Sequence, residues 1–308
     1  MKLPNNQTSH LPNSPIAELP NNPITQLPNN LLVVFFGSSK FVIPILEVLR
    51  KNFTLSLVLT TEKSSTDAVP SYCIKNKTPH FSVQQFNNLT IEQLKKLNTS
   101  MAVLADFGLI IPQQVLDLFP KGIINIHPSL LPKYRGPTPV QTAILNGEKT
   151  TGVTIIKLDE EIDHGPILGF EKEKILNTDT SESLYKRLFE KGANLLLKIL
   201  NSYLKDELKP IAQNHKKATF TSRLTRESGF VDIKNPPSPE KLQQMIKAYF
   251  PWPGVWTKTK LNGVEKIIKF LPDQKIQVEG KKPMSYKDFI NGYPEIKQQL
   301  EKLLGQLV

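Results

Sequence analysis

Apolar positions along the chain come in two patterns: short unbroken runs, and longer stretches with helical period. LLVVFFG (31–37), FTLSLVLT (53–60), MAVLA (101–105) and GIINI (122–126) are unbroken. Such runs predict strands buried on both faces. TGVTIIKL (151–158) is alternating and β-branched and reads as a fifth strand. Between them, FVIPILEVLRKN (41–52), IEQLKKLN (91–98), PQQVLDLF (112–119) and TPVQTAILNG (138–147) read as helices. Ser38 and Ser39 are placed to cap the first, which carries Pro44 near its first turn. The polar stretch before Ile91 suggests no element. Residues 180–205 form a long amphipathic helix, with Leu184, Leu188, Leu195 and Ile199 at core spacing. Strands alternating with helices imply an α/β, Rossmann-like domain with a mainly parallel sheet. Ligands of such sheets bind beyond the carboxyl ends of the strands.

The pattern changes after residue 207. ELKPIAQNHKKATFTSR (207–223) reads as a linker or extended crossover. Short candidate strands follow at 229–233, 255–260, 264–271 and 274–278, with a helix, PEKLQQMIKAYF, and a rigid PWPG turn among them. At the other end, residues 3–30 repeat an eight-residue unit: LPNNQTSH, LPNSPIAE, LPNNPITQ, LPNN. Proline removes donors and asparagine favours turns, so this segment is expected to be disordered. The expected plan is a repeat arm (1–30), an α/β domain (31–207), a linker (208–222) and a small β-rich domain (223–308).

Charge sharpens that division. The net charge is +11 over 308 residues, but residues 201–308 alone hold 19 Lys/Arg against 11 Asp/Glu. A basic module on a nearly neutral one suggests a polyanionic partner such as nucleic acid; a merely lysine-rich surface is the bland alternative. The one cysteine, Cys73, leaves no internal disulfide framework or multi-cysteine metal site and reads as a small buried apolar residue. No run of about 18 apolar residues exists, and the N-terminus has no apolar signal core. A cytoplasmic protein without membrane association is expected.

The candidate chemistry gathers at NIHPSLLP (125–132). Asn125 and His127, two apart on a strand, share a face. Alone the pair is weak evidence, since buried Asn and His often only satisfy neighbours. ADFGLIIP (105–112) is a second strand-end loop, and LDEEIDHGPIL (158–168) places Asp163 in a loop between two β-like segments. Asp159, Glu160 and Glu161 read as solvated carboxylates, and His164 as an exposed loop residue. His10, His80 and His215 read as surface residues without partners. Gly37 in FFGSS lies in no G-x-G-x-x-G pattern, so a dinucleotide site is not supported.

NIHPSLLPKYRG followed by DEEIDHGPIL, with FFGSSKFVIPILEVL upstream, resembles the folate-dependent formyltransferase family. The resemblance can be followed from about residue 31 to the end. It implies transfer of a formyl group from 10-formyltetrahydrofolate to an amine, with no metal. It implies that Asn125 and His127 stabilise the oxyanion, that Asp163 takes the proton from the attacking nitrogen, and that Ser129, Leu130, Leu131 and Pro132 contact the folate. It also separates acceptors. AYFPWPGVWTKTKLNG (248–263) and KKPMSYKDFINGY (281–293) are similar to the OB-like C-terminal domain of the methionyl-tRNA branch, and Arg135–Gly136 followed by Pro139 also resembles that branch. Methionyl-tRNA and the folate donor are then the partners of a monomeric chain. A sugar-nucleotide amine acceptor is the alternative, and a non-catalytic folate- or RNA-binding relic the alternative of another class. Two departures stand out. The segment 60–75, which is basic and longer in that branch, here has no arginine and only Lys63 and Lys75. The C-terminal part has four candidate strands where an OB-fold has five.

Overall fold

A computed structural model describes residues 31–304, so the repeat arm lies outside the described residues. The first half builds β1 (Leu32–Gly37), α1 (Ile43–Asn52), β2 (Thr54–Thr60), α2 (Ala68–Lys75), β3 (His80–Ser82), α3 (Asn88–Lys96), β4 (Met101–Ala105), α4 (Gln113–Leu116) and β5 (Gly122–His127). It continues with α5 (Pro139–Leu145), β6 (Thr150–Lys157), β7 (Ile167–Lys174) and the long α6 (Ser181–Leu204). Seven strands form one sheet in the order β3-β2-β1-β4-β5-β6-β7. The first five in that order are parallel; β6 runs antiparallel to β5, and β7, antiparallel to β6, returns to the direction of the five. The strand order reverses beside β1, which opens a crevice at the carboxyl edge between β1 and β4.

The unbroken runs are buried on both faces. Phe35, Val103 and Ile126 pack under α1, α2 and α6 together with Cys73, which is buried as expected. Phe36, Ala102 and Ile123 face the opposite layer, with Ile91 of α3 and Val115 of α4. Ser39 does cap the chain's entry into its first helical turns, accepting from the Phe41 amide. The polar stretch that suggested no element holds α2 and β3. Glu62 makes this possible: its two carboxylate oxygens accept the Ser39 amide (3.0 Å) and the Val69 amide (2.8 Å), pinning a short loop onto the sheet edge.

The second half forms α7 (Pro239–Tyr249), β8 (Val255–Leu261), β9 (Val264–Leu271), β10 (Lys275–Val278), β11 (Met284–Ser285), α8 (Tyr286–Gly292) and α9 (Lys297–Leu304). The strands make a four-stranded antiparallel sheet in sequential order. Asn262 and Gly263, both at positive φ, make the tight turn between β8 and β9. The strand expected at 229–233 does not form. Gly229 packs so closely on Gly254 that a Cβ would lie 1.7 Å from the Gly254 carbonyl. The chain therefore touches β8 only at a single bridge from Phe230 to Trp256 and then turns inward at Val231 and Ile233. The fourth strand is instead β11.

Val140 and Ile144 of α5 and Leu184 and Leu188 of α6 share one apolar core with α7, β8–β10, α8 and α9. The segment expected to link the two units runs back across the first one. Ile211 exchanges both backbone bonds with Ile167 (2.8 Å each), and Thr219 and Thr221 bond the backbone of Arg135 at 2.8 Å each. No helix among the described residues is long and apolar enough to cross a membrane.

Candidate active site

Asn125 and His127 end β5 at the carboxyl edge of the sheet, paired with Ile156 and Thr154 of β6. Both are 5% exposed. Asp163 comes from the β6–β7 loop in the left-handed region, φ 48. Its Oδ1 accepts from Asn125 Nδ2 at 3.1 Å. Its Oδ2 accepts from the Gly136 amide at 2.8 Å and lies 3.4 Å from His127 Nδ1. His127 Nε2 sits 2.9 Å from the Tyr134 carbonyl. A carbonyl only accepts, so Nε2 carries a proton, and Nδ1 is the nitrogen left to share one with Asp163. The three side chains expected to act together are thus in mutual contact.

A shell behind them holds this triangle. Gly165 approaches the Lys157 carbonyl so closely that a Cβ would meet it at 1.8 Å. Gln213 Nε2 donates to the carbonyls of Asp163 (2.8 Å) and Gly165 (2.7 Å), which fixes the strained loop from behind. Its Oε1 accepts from Arg135 Nη2 at 2.7 Å. Arg135 is buried, reaches His215 Nδ1 at 2.9 Å and lies over the Phe220 ring. Arginine only donates, so that nitrogen of His215 is the acceptor.

Several expected surface residues take part. His215 stacks on His164, with centroids 4.0 Å apart and ring planes 12° apart. His164 Nδ1 meets Asp159 Oδ2 at 2.7 Å. His215 is at the surface as expected but not without partners, and His164 and Asp159 are half-buried, because the strap at 208–222 passes over their loop. Arg135, part of the resemblance to the methionyl-tRNA branch, is interior. Nearby, burial and the bond to Glu148 push the Tyr134 hydroxyl up to about 12, so it remains a donor.

A cavity of about 690 Å³ opens over the triangle, well within the size of a small-molecule site. It reaches both faces of the sheet. On the α3–α4 side it is lined by the apolar loop Phe107–Ile111 and by Leu158 and Ile162. On the α6 side it is lined by Tyr185, Phe189, Arg223, Leu224 and Trp252. Asp106, at φ 47 beyond β4, also opens on it. Its carboxyl accepts from Ser39 Oγ at 2.6 Å, and the surrounding protein holds it above the usual carboxylate range, with the Ser39 bond opposing.

Ser129, Leu130, Leu131 and Pro132, expected to contact the folate, do not line this cavity. Their turn is folded back on β6. Thr154 Oγ1 donates to the Ser129 carbonyl (2.6 Å) and accepts from the Leu131 amide (3.1 Å), while Ser129 Oγ donates to the Lys133 carbonyl (2.7 Å). The polar groups of this turn are used internally. ADFGLIIP supplies the wall instead. Trp252, Arg223 and Gln213 carried no spacing signal, because they reach the site from more than 40 residues away in the chain.

The family model described as formyl transferase matches residues 31–200. A methionyl-tRNA formyltransferase of Methylacidiphilum infernorum is 34% identical over 248 residues, 77% of each chain. One of Koribacter versatilis is 32% identical over 301 residues, 85% of this chain and 96% of that protein. A solved 4-N formyltransferase of Francisella tularensis superposes with a TM-score of 0.64 at 19% identity, over 79% of this chain and 97% of that one; this likeness bears on the fold. The chain belongs to the formyl transferase family.

Proposed function

We propose that this member of the formyl transferase family moves a formyl group from 10-formyltetrahydrofolate to the amino group of methionyl-tRNA. The observation that carries the chemistry is the contact triangle of Asn125, His127 and Asp163 under a cavity reached from both faces of the sheet. The acceptor rests on the relatives named methionyl-tRNA formyltransferase and on the basic second half.

The flat pteridine suits the apolar wall of Phe107–Ile111, Leu158 and Ile162, whose backbone groups can pair with its ring edge. The acceptor then enters from the α6 side, towards Arg223. The amine nitrogen attacks the formyl carbon, and its oxygen becomes an oxyanion. Asn125 Nδ2 has a second N–H beyond the one given to Asp163, and His127 lines the same cavity two residues along the same strand face. Preorganised donors of this kind are worth about 3–4 kcal/mol each in the transition state. Asp163 takes the proton from the attacking nitrogen. The bond from the formyl carbon to N10 then breaks, N10 gains a proton, and the products are a formamide and tetrahydrofolate. Exposed Lys258, Lys260 and Lys269 on the C-terminal sheet offer sequence-independent phosphate contacts, which makes binding salt-sensitive.

The test is formylation of methionyl-tRNA by purified protein with 10-formyltetrahydrofolate, beside His127→Ala. Product from wild type and a loss of about a hundredfold or more in the variant are expected. Turnover on an amino-sugar nucleotide but none on methionyl-tRNA would keep the site and overturn the acceptor. No turnover on any amine would leave only a binding protein.

A further inference from the structure

The two tryptophans of this chain are used in opposite ways. Trp256 is 6% exposed; its indole N–H donates to the Arg226 carbonyl at 3.0 Å, and the Arg226 guanidinium covers its ring. That is a tryptophan serving the fold. Trp252, four residues earlier, is 57% exposed. Its ring stacks on no described aromatic, and its N–H has no described acceptor. The PWPG turn is rigid, as the sequence suggests, but the Trp252 ring is more exposed than buried.

The rigidity comes from elsewhere. The Gly254 amide donates to the Tyr249 carbonyl at 2.9 Å, Ser181 Oγ at the start of α6 donates to the Phe250 carbonyl at 2.6 Å, and Gly229 abuts Gly254. Trp252 is thereby fixed to the α/β unit at the wall of the active-site cavity, with no contact that explains leaving so large an apolar surface in water.

The other rings in that wall have no free face. Phe107 and Phe189 are buried. Tyr185 is stacked between Phe41 and Phe189, with centroids at 5.4 and 5.9 Å. Trp252 is therefore the one aromatic platform among the described lining residues. Arg223 lines the same side, is exposed, and pairs with no described carboxylate. Its neighbour Ser222 is tied down by Thr138 Oγ1, which donates to the Ser222 carbonyl at 2.9 Å. A free ring face beside an unpaired guanidinium matches the base and phosphate of a nucleotide.

We propose that Trp252 and Arg223 form a subsite for the terminal nucleotide of the acceptor, with its base stacked on the Trp252 indole and its phosphate on Arg223. This rests on the reading that the acceptor is an aminoacyl-tRNA. An aminoacyl ester puts the attacking amine one ribose away from its base, so the base must enter the same cavity as Asn125, His127 and Asp163. The subsite also explains how a chain with a short, arginine-free loop at 60–75 holds an acceptor end: the C-terminal unit supplies the grip from the opposite side.

Two readouts test it. In steady-state formylation of methionyl-tRNA, Trp252→Ala should raise KM about tenfold or more with kcat within a few-fold, since stacking is lost from ground and transition states alike. Trp252→Phe should keep KM within a few-fold. Arg223→Ala should raise KM and lower the salt dependence of KM by about one phosphate contact. In the second readout, the single-stranded trinucleotide CCA is titrated against wild type and Trp252→Phe. It should quench the fluorescence of wild type and not that of the variant, whose remaining tryptophan is buried. Formylation by wild type with KM unchanged in Trp252→Ala, and no quenching by CCA, would overturn the subsite and leave the function standing. Absence of formylation by wild type would overturn the function, and the fluorescence titration then decides the subsite alone, quenching supporting it and no quenching overturning it.

Discussion

Gln213 shows how the site depends on residues that never meet substrate. Its amide nitrogen holds the carbonyls of Asp163 and Gly165, and its oxygen holds buried Arg135, whose Nε already lacks a partner. Truncation leaves two carbonyls and a guanidinium donor unsatisfied, at about 1–3 kcal/mol for each buried group. Gln213→Ala is expected to lower stability by about 3 kcal/mol or more and to lower kcat more than it raises KM, because Asp163 loses its fixed position. Denaturant unfolding and steady-state kinetics check both. This residue was illegible in the sequence: a lone glutamine in a linker-like segment has no periodic or motif signal. Asn125, His127 and Asp163 were legible as candidates, since strand alternation puts the first two on one face and the third lies in a glycine-bounded loop. Their mutual contacts were not, because the loop geometry depends on Gln213 and on the absence of a side chain at Gly165.

Among elements, the strands of the first half were the most legible, because burial on both faces leaves an unbroken apolar run. Helix α2 and strand β3 were not, since an edge strand of three residues and a short helix carry too little pattern. The reversed direction of β6 was likewise hidden, as period alone carries no direction. Helix α6 is better specified than its amphipathic pattern implies. Thr180 and Ser183 form a reciprocal cap, and Asp179 just before it takes both ends of the Arg187 guanidinium, at 2.5 and 2.8 Å. Asp179 also accepts from the Leu176 amide and the Ser183 hydroxyl, at 2.8 Å each. Burial pushes its carboxyl up, but Arg187 and these bonds outweigh that and leave it below the usual range. A depressed carboxylate adds stability that is fully present above its unfolded value of about 3.9 and is lost as pH falls through the folded one. Asp179→Asn is therefore expected to cost about 2–3 kcal/mol at neutral pH. The gap from wild type should stay flat down to about pH 5 and close below about pH 4. Thermal melts of both proteins across that range would show it.

On the scale of the whole molecule, charge divides the chain into a nearly neutral and a basic part, but composition could not show that the two share a core. Leu184 and Leu188 of α6 pack with Leu242, Ile246 and Phe289 of the second half, while Phe189, Leu196 and Ile199 of the same helix pack on the seven-stranded sheet. One helix thus serves two cores, and two lysines of α7 stitch the seam further, Lys241 on the Leu145 carbonyl and Lys247 on the Asn177 carbonyl. This arrangement suits the chemistry. The wall formed by Trp252 must hold a fixed position relative to Asn125 and His127, and a flexible tether would not provide one. It also has a thermodynamic consequence. Leu188 is fully buried at the seam, and Leu188→Ala should destabilise by about 2–5 kcal/mol. Because the core is common, the loss should lower one cooperative transition for the whole chain, with far-UV dichroism, Trp256 fluorescence and calorimetry giving the same midpoint. If the second half instead unfolded at a lower temperature while the sheet remained, the seam would be a contact between independent domains, and the position of Trp252 in the active-site wall would depend on their docking.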